Sequence, residues 1–407
     1  MGYSKHAFKG SSLNVVMKIL TVGVTAVKIY ILARLLTPYD FGLAQYVIIM
    51  EGLLEALTET GINTTIVQSK NSLSYYVNTA WVIAIIRGLV ISILMILSGF
   101  GMQQFFHEER LLMLFAVASF IPLIKGFINP AIVSLYKNLQ FIHDSVYHLS
   151  LTAVEALAAI ILAFLFHSVF VLVFSMMISG IFEVCISFIF FTIRPQFVFI
   201  RSRAREIFLN ARGLNINSIL SYLVENTDNL LVGKVLGTTE LGLYSNGYSL
   251  THKFTLEFAK SVQYGTFPIY VKISEERRRL RRAFWRTAAV SLGGFLVIAT
   301  PFFLFPRFIV LFFLGQQWVG IIPIVRPLIL ASLVQSFNAL ATAVFTASKH
   351  YHWSNLSLFV NCASLIVLVI LLSQHYGLVG AATGVLIARL LVIPILFFGL
   401  RRVFVEK

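Results

Sequence analysis

The chain has 407 residues, of which 58% are hydrophobic and only 12% charged, with a mean hydropathy of +0.86. A soluble domain carries about 25% charged residues, so composition excludes a soluble globular enzyme and points to a chain solvated by lipid. The net charge of +15 would suit nucleic acid, but its placement at the ends of apolar segments excludes that reading.

Twelve apolar stretches are long enough to cross a bilayer, at about 20 residues each. They fall at about 12–36, 41–61, 76–101, 110–128, 145–166, 169–193, 212–236, 240–263, 285–304, 319–346, 355–373 and 378–400. With the N-terminus in the cytoplasm, the inside loops hold twenty Lys and Arg, against Arg110, Lys234 and Arg307 outside. This asymmetry predicts that both termini are cytoplasmic. The first span is too long for a secretory signal peptide, contains Lys18 and Lys28, and is followed by no small-residue cleavage site. Cys185 and Cys362 both lie inside spans, so they read as small core residues, not as a disulfide or metal site.

The spans divide as an N-lobe over 1–193, a basic amphipathic linker over 194–211 and a C-lobe over 212–407. The linker interleaves Arg201, Arg203 and Arg205 with Phe197, Phe199, Ile207 and Phe208, as expected of a segment on the cytoplasmic surface. An internal repeat supports the division. Arg34 to Leu43 (RLLTPYDFGL) aligns with Lys234 to Leu243 (KVLGTTELGL), and both copies join two long apolar segments. Thr37 can cap the helix that follows it, Pro38 suits the first helical position and Asp40 the third. In the second copy Gly237 is the cap and Glu240 replaces the acid. Pro122-Leu123-Ile124 in span four matches Pro327-Leu328-Ile329 in span ten, and reads as a duplicated bend. An even number of spans per repeat predicts two six-helix lobes related by a pseudo-two-fold axis along the membrane normal, around a central hydrated cleft. The expected fold is therefore all-α and polytopic, with about twelve transmembrane helices.

Ionisable groups inside spans are costly and point to function. Glu51, Glu55 and Glu59 make one acidic stripe on span two. Glu225 and Asp228 lie on a polar face of span seven, and Lys253, Glu257 and Lys260 on span eight. Lys28, Arg87, Arg326 and Arg389 are further intramembrane cations, while Glu155 and Glu183 suit pairs within a lobe. Cations neutralise an anionic substrate such as a diphosphate, and buried acids can carry protons. Lys28, Arg87, Lys253, Arg326 and Arg389 are accordingly the candidate substrate-binding residues. Glu51, Glu55, Glu225, Asp228 and Glu257 are the candidates for gating or for a coupling proton or sodium ion. No P-loop, dinucleotide-binding motif or other cofactor signature is present.

Three segments carry a family resemblance. Ala33 to Gly42 (ARLLTPYDFG) resembles the "ArLLtPeDFG" signature of bacterial polysaccharide flippases. Asn229 to Gly237 (NLLVGKVLG), followed by Leu241-Gly242-Leu243-Tyr244, is similar to their second-half signature. Tyr136 to Phe141 (YKNLQF) resembles a further pattern after span four. The resemblance implies the multidrug/oligosaccharidyl-lipid/polysaccharide (MOP) exporter superfamily, in its O-antigen or exopolysaccharide repeat-unit branch. It implies a non-enzymatic flippase in the cytoplasmic membrane. Its substrate would be an undecaprenyl-diphosphate-linked oligosaccharide, its partners membrane lipids and other polysaccharide-assembly proteins, and its mechanism alternating access. The alternative is a cation-coupled small-molecule or drug antiporter of the same superfamily. A membrane-embedded glycan enzyme is disfavoured, because the chain lacks a large loop and a DxD motif.

Overall fold

The computed structural model describes residues 2–69, 72–138, 140–211 and 215–405, and every regular element among them is helical. The first half comprises α1 (Gly2–Leu35), α2 (Pro38–Leu57), α3 (Ile62–Gln68), α4 (Leu73–Phe106), α5 (Arg110–Ala118), α6 (Phe120–Gly126), a 3-10 turn (Pro130–Ile132), α7 (Val133–Lys137), α8 (Phe141–Phe166) and α9 (Phe170–Phe190). Then follow α10 (Arg201–Ala211), α11 (Asn215–Leu236), α12 (Thr238–Lys272), α13 (Arg277–Leu304), α14 (Pro306–Phe313), a second 3-10 turn (Gln316–Ile321), α15 (Ile322–Ala347) and α16 (Tyr351–Val405). The last is two helices broken at Gly377, whose φ is 58°.

Helices result because a bilayer offers no partners for backbone polar groups, and a helix satisfies them internally. Their outer faces are apolar. Ile93, Leu97 and Phe100 of α4 and Ile161, Phe164 and Leu165 of α8 are all exposed. A soluble monomer rarely exposes patches of this kind, so these faces mark a multi-pass membrane protein. Among the described residues six helices are long and apolar enough to cross, and α5–α6 with the segment after it makes a seventh as a bent pair. One of the six is α16, which covers two expected spans. α1, α2, α11 and α12 cover the expected spans one, two, seven and eight.

Packing divides the chain into Met1–Leu223 and Val224–Lys407. In the first unit α1 packs on α8, α8 on α9, and α4 on α5 and α6. The contact of α4 with α6 is backbone to backbone. A Cβ on Gly88 would stand 2.5 Å from the Pro122 carbonyl oxygen, and one on Gly126 3.0 Å from that of Ala84. The linker helix α10 belongs to this unit. Its Ala204 and Ile207 are buried with Ile62, Ile66 and Tyr76, the Tyr76 hydroxyl donates to Glu206, and Arg201 and Arg205 face outwards. In the second unit α15 packs on α12, α13 and α16, and Tyr270, Phe284, Phe345 and Leu396 anchor its core.

The first repeated turn forms as its sequence demands. Thr37 Oγ1 accepts from the Asp40 backbone N–H, and Asp40 accepts from that of Thr37, which closes a capping box. Its counterpart Gly237 precedes α12 with φ 95° and no side-chain cap. The expected duplicated bend is different in detail. Pro122 and Pro327 both lie inside helices, and the 63° bend of span four separates Arg110–Gly126 from Pro130–Lys137. Asn129 accounts for it. As the residue before a proline it is disfavoured in helical conformation, and its side chain accepts from Ala131 N while donating to the Ile193 carbonyl. Cys185 also departs from expectation. It is exposed on α9, while Cys362 is half-buried, and a small apolar thiol is at no disadvantage on a face directed at lipid.

Candidate functional site: a charge cluster in each unit

In the first unit the charges gather on α2 and α6. The i, i+4 spacing puts Glu51 and Glu55 on one stripe. Lys125, set on α6 by the close crossing with α4, places Nζ 3.0 Å from Glu51 Oε1 and 3.8 Å from Glu55 Oε1. The Glu51 side chain is 6% exposed, those of Lys125 and Glu55 36% and 43%. Lys125 also interacts electrostatically with Glu183 of α9, whose Oε1 accepts from the Tyr147 hydroxyl at 3.0 Å. Two carboxylates thus share one ammonium, and a third lies within its electrostatic reach.

The other cations of this unit are engaged nearby. Arg87 Nη2 donates to the Glu55 carbonyl at 2.9 Å and Nε to Thr58 Oγ1 at 3.2 Å. It therefore satisfies the end of α2, where carbonyls lack helical partners. Lys28 forms a 2.7 Å ion pair with Glu155 that ties α1 to α8.

The second unit holds a tighter cluster. Asp228 of α11 is 1% exposed. It accepts from the Tyr244 hydroxyl at 2.8 Å, from Asn229 N at 2.8 Å and from Asn229 Nδ2 at 3.2 Å. Arg389 of α16 is 7% exposed and donates from Nη2 to the Tyr248 hydroxyl at 3.0 Å. Asp228 and Arg389 attract one another without direct contact within ion-pair distance; each is held by a tyrosine, and the rings of Tyr244 and Tyr248 stack 6.2 Å apart. Tyr244, Tyr248 and His252 follow at i, i+4, i+8 along α12. The rings of Tyr248 and His252 are 4.4 Å apart, and His252 Nδ1 lies 2.6 Å from Ser332 Oγ of α15. Among the described residues, Nε and Nη1 of Arg389 and Oδ1 of Asn229 have no hydrogen-bond partner, which is uncommon for buried polar atoms.

The remaining candidates are more scattered. Glu225 is exposed on α11, one turn before Asp228. Arg326 is exposed, with Nε 3.2 Å from the Phe303 carbonyl. The side chains of Lys253 and Glu257, like those of Lys18 and Lys260, lie outside the described residues. Sequence reasoning passed over Lys125, Tyr147, Tyr244, Tyr248 and His252. The i, i+4, i+8 stripe of α12 was readable as a pattern, whereas the partnership of Lys125 with an acid 74 residues away left no local signal.

The chain resembles known proteins along most of its length. An uncharacterized membrane protein in the cps region of Klebsiella pneumoniae is 23% identical over 377 residues, covering 88% of this chain and 75% of its own. The lipopolysaccharide biosynthesis protein WzxC of Escherichia coli is 19% identical, covering 96% and 80%. Among solved structures, the lipid II flippase MurJ in an inward closed conformation superposes with a TM-score of 0.73 at 14% identity, over 96% of this chain and 90% of that one. An inward-facing multidrug resistance MATE family transporter of the MOP superfamily gives 0.70 at 14%, over 96% and 97%. The fold is therefore that of MOP-superfamily transporters. A family profile described as polysaccharide biosynthesis protein matches residues 31–323, and with that match over most of its length the chain belongs to the polysaccharide biosynthesis protein family.

Proposed function

We propose that the chain is a flippase that moves undecaprenyl-diphosphate-linked oligosaccharide repeat units across the bacterial cytoplasmic membrane by alternating access. The observation that carries this reading is the family match over residues 31–323 on an all-helical membrane fold. WzxC supports it as a lipopolysaccharide biosynthesis protein, and MurJ as a flippase of a lipid-linked substrate. The chain acts without covalent chemistry, with both termini in the cytoplasm, a reading that the distribution of Lys and Arg among its loops supports.

Glu51, Glu55 and Asp228 exchange a proton or sodium ion, and Lys125 and Arg389 are the counter-charges they release or recapture. An acid and a substrate phosphate competing for one cation would couple the two movements. The drug-antiporter alternative shares the fold but not the family match.

The test uses cells that lack this protein and keep their glycan-synthesis genes. Completed lipid-linked repeat units should accumulate while surface polymer is lost. Unchanged intermediates with normal polymer would refute the reading, and accumulation of incomplete units would indicate an enzyme.

A further inference from the structure

A cavity of about 920 Å³ opens in the first unit where α7 gives way to α8 and α9 ends. Its size lies within the range of ligand pockets, about 300–1,000 Å³. Neither Glu51 nor Lys125 lines it, whereas Lys137, Asn138 and Gln140, from the segment that resembles a family pattern after span four, do. Its polar lining is Lys137, Asn138, Gln140, His143, Ser134 and Thr192, and its apolar lining includes Leu135, Ile142, Val146, Ile186 and Phe190. Lys137 Nζ is held 3.0 Å from the Ser69 carbonyl, which fixes one positive charge in the lining.

That chemistry is specific. Neutral amides and hydroxyls outnumber cations, whereas a site for a simple anion gathers Arg and Lys. Amides and hydroxyls suit sugar hydroxyls, a single ammonium suits one phosphate group, and the apolar lining suits a hydrocarbon chain. Tyr147 lines the same cavity and donates its hydroxyl to Glu183, so the cavity shares a wall with the acidic cluster.

We propose that this cavity is a loading site for the sugar–phosphate junction of a lipid-linked glycan, with the polyprenyl chain lying along Val146, Ile186 and Phe190. The proposal rests on the flippase reading and adds a second station to it, within the first unit. An occupant displacing Tyr147 would disturb Glu183, and so signal loading to the acidic cluster.

The experiment uses the full chain in lipid nanodiscs and a diazirine-bearing undecaprenyl-diphosphate-linked N-acetylglucosamine, with labelled peptides mapped by mass spectrometry. Labelling should fall within 134–150 and 186–193. Val146→Trp, at an exposed position in the cavity lining, should reduce it by about tenfold or more. Ile161→Trp, exposed elsewhere on α8, should leave it unchanged. Asn138→Ala and Gln140→Ala, at exposed positions in the polar lining, provide the same test if the tryptophan variant fails to fold. Labelling outside these segments, or undiminished in the lining variants, would overturn the proposal. Equal competition by phosphatidylglycerol would also overturn it, by making the cavity a site for ordinary bilayer lipid. These failures are distinct from failure of the flippase reading, which shows independently as unchanged lipid-linked intermediates in cells lacking the protein.

Discussion

Replacing Lys125 with Met removes the ammonium 3.0 Å from Glu51 and 3.8 Å from Glu55 while keeping most of the side-chain volume. Removing one partner of a fully buried pair costs about 3–5 kcal/mol, because a buried charge is left behind. An exposed pair is worth at most about 1 kcal/mol. Glu51 is nearly buried, but Lys125 is 36% exposed, so we expect an intermediate loss of about 2 kcal/mol. For a cooperative unit of about 150–250 residues, each kcal/mol moves the melting temperature by about 2–4 °C, so Lys125→Met should lower it by about 4–8 °C. Glu51→Gln keeps an acceptor for Lys125 and relieves repulsion from Glu55. It should stay within about 1 kcal/mol of the parent and yet lose transport, if Glu51 carries the coupling ion. The double variant should be more stable than Lys125→Met alone, since the stranded charge is gone. Thermal unfolding of the four proteins in one detergent supplies the cycle. Strict additivity of the two substitutions would refute a direct interaction, and normal transport by Glu51→Gln would refute the coupling role.

Other outcomes follow from the same geometry. Tyr244→Phe takes a hydroxyl from buried Asp228 and should cost about 1–3 kcal/mol, read as a lower melting temperature. Gly88→Leu would drive a side chain into the Pro122 carbonyl and should abolish monodisperse protein on size-exclusion chromatography, whereas Gly101→Leu, with nothing within 4 Å of its Cβ, should not. Thr37→Ala opens the capping box of α2 and should cost about 1 kcal/mol of stability in the same melts. Arg87→Ala removes both hydrogen bonds to the end of α2. Its melting temperature should drop along with export, so the loss of export alone does not identify a substrate contact.

The sequence was legible where one segment decides its own structure. The capping box of α2 needs only Thr37, Pro38 and Asp40, and it formed. The helices follow from apolar runs that must satisfy their backbones in lipid. Charge spacing along one helix put Glu51 with Glu55, and a costly acid at Asp228. What stayed hidden depends on contacts between distant segments. Lys125 meets Glu51 across 74 residues of sequence, on a helix, α6, that crosses α4 at two glycines. Asp228 and Arg389 are held by Tyr244 and Tyr248, residues that a search for intramembrane Asp, Glu, Lys and Arg passes over. The bend in span four lies at Asn129, where tertiary hydrogen bonds to Ser187 and Ile193 add to the local effect of Pro130; the match of Pro122 with Pro327 did not indicate it.

The most direct test of the central claim is flipping itself. The purified chain would be reconstituted in liposomes with a fluorescent undecaprenyl-diphosphate-linked oligosaccharide confined to one leaflet, and a membrane-impermeant quencher would report the other. The account predicts transfer at a rate well above protein-free liposomes, slowed by Glu51→Gln and Asp228→Asn. Transfer no faster than in protein-free liposomes, with the protein folded and correctly inserted, would contradict it.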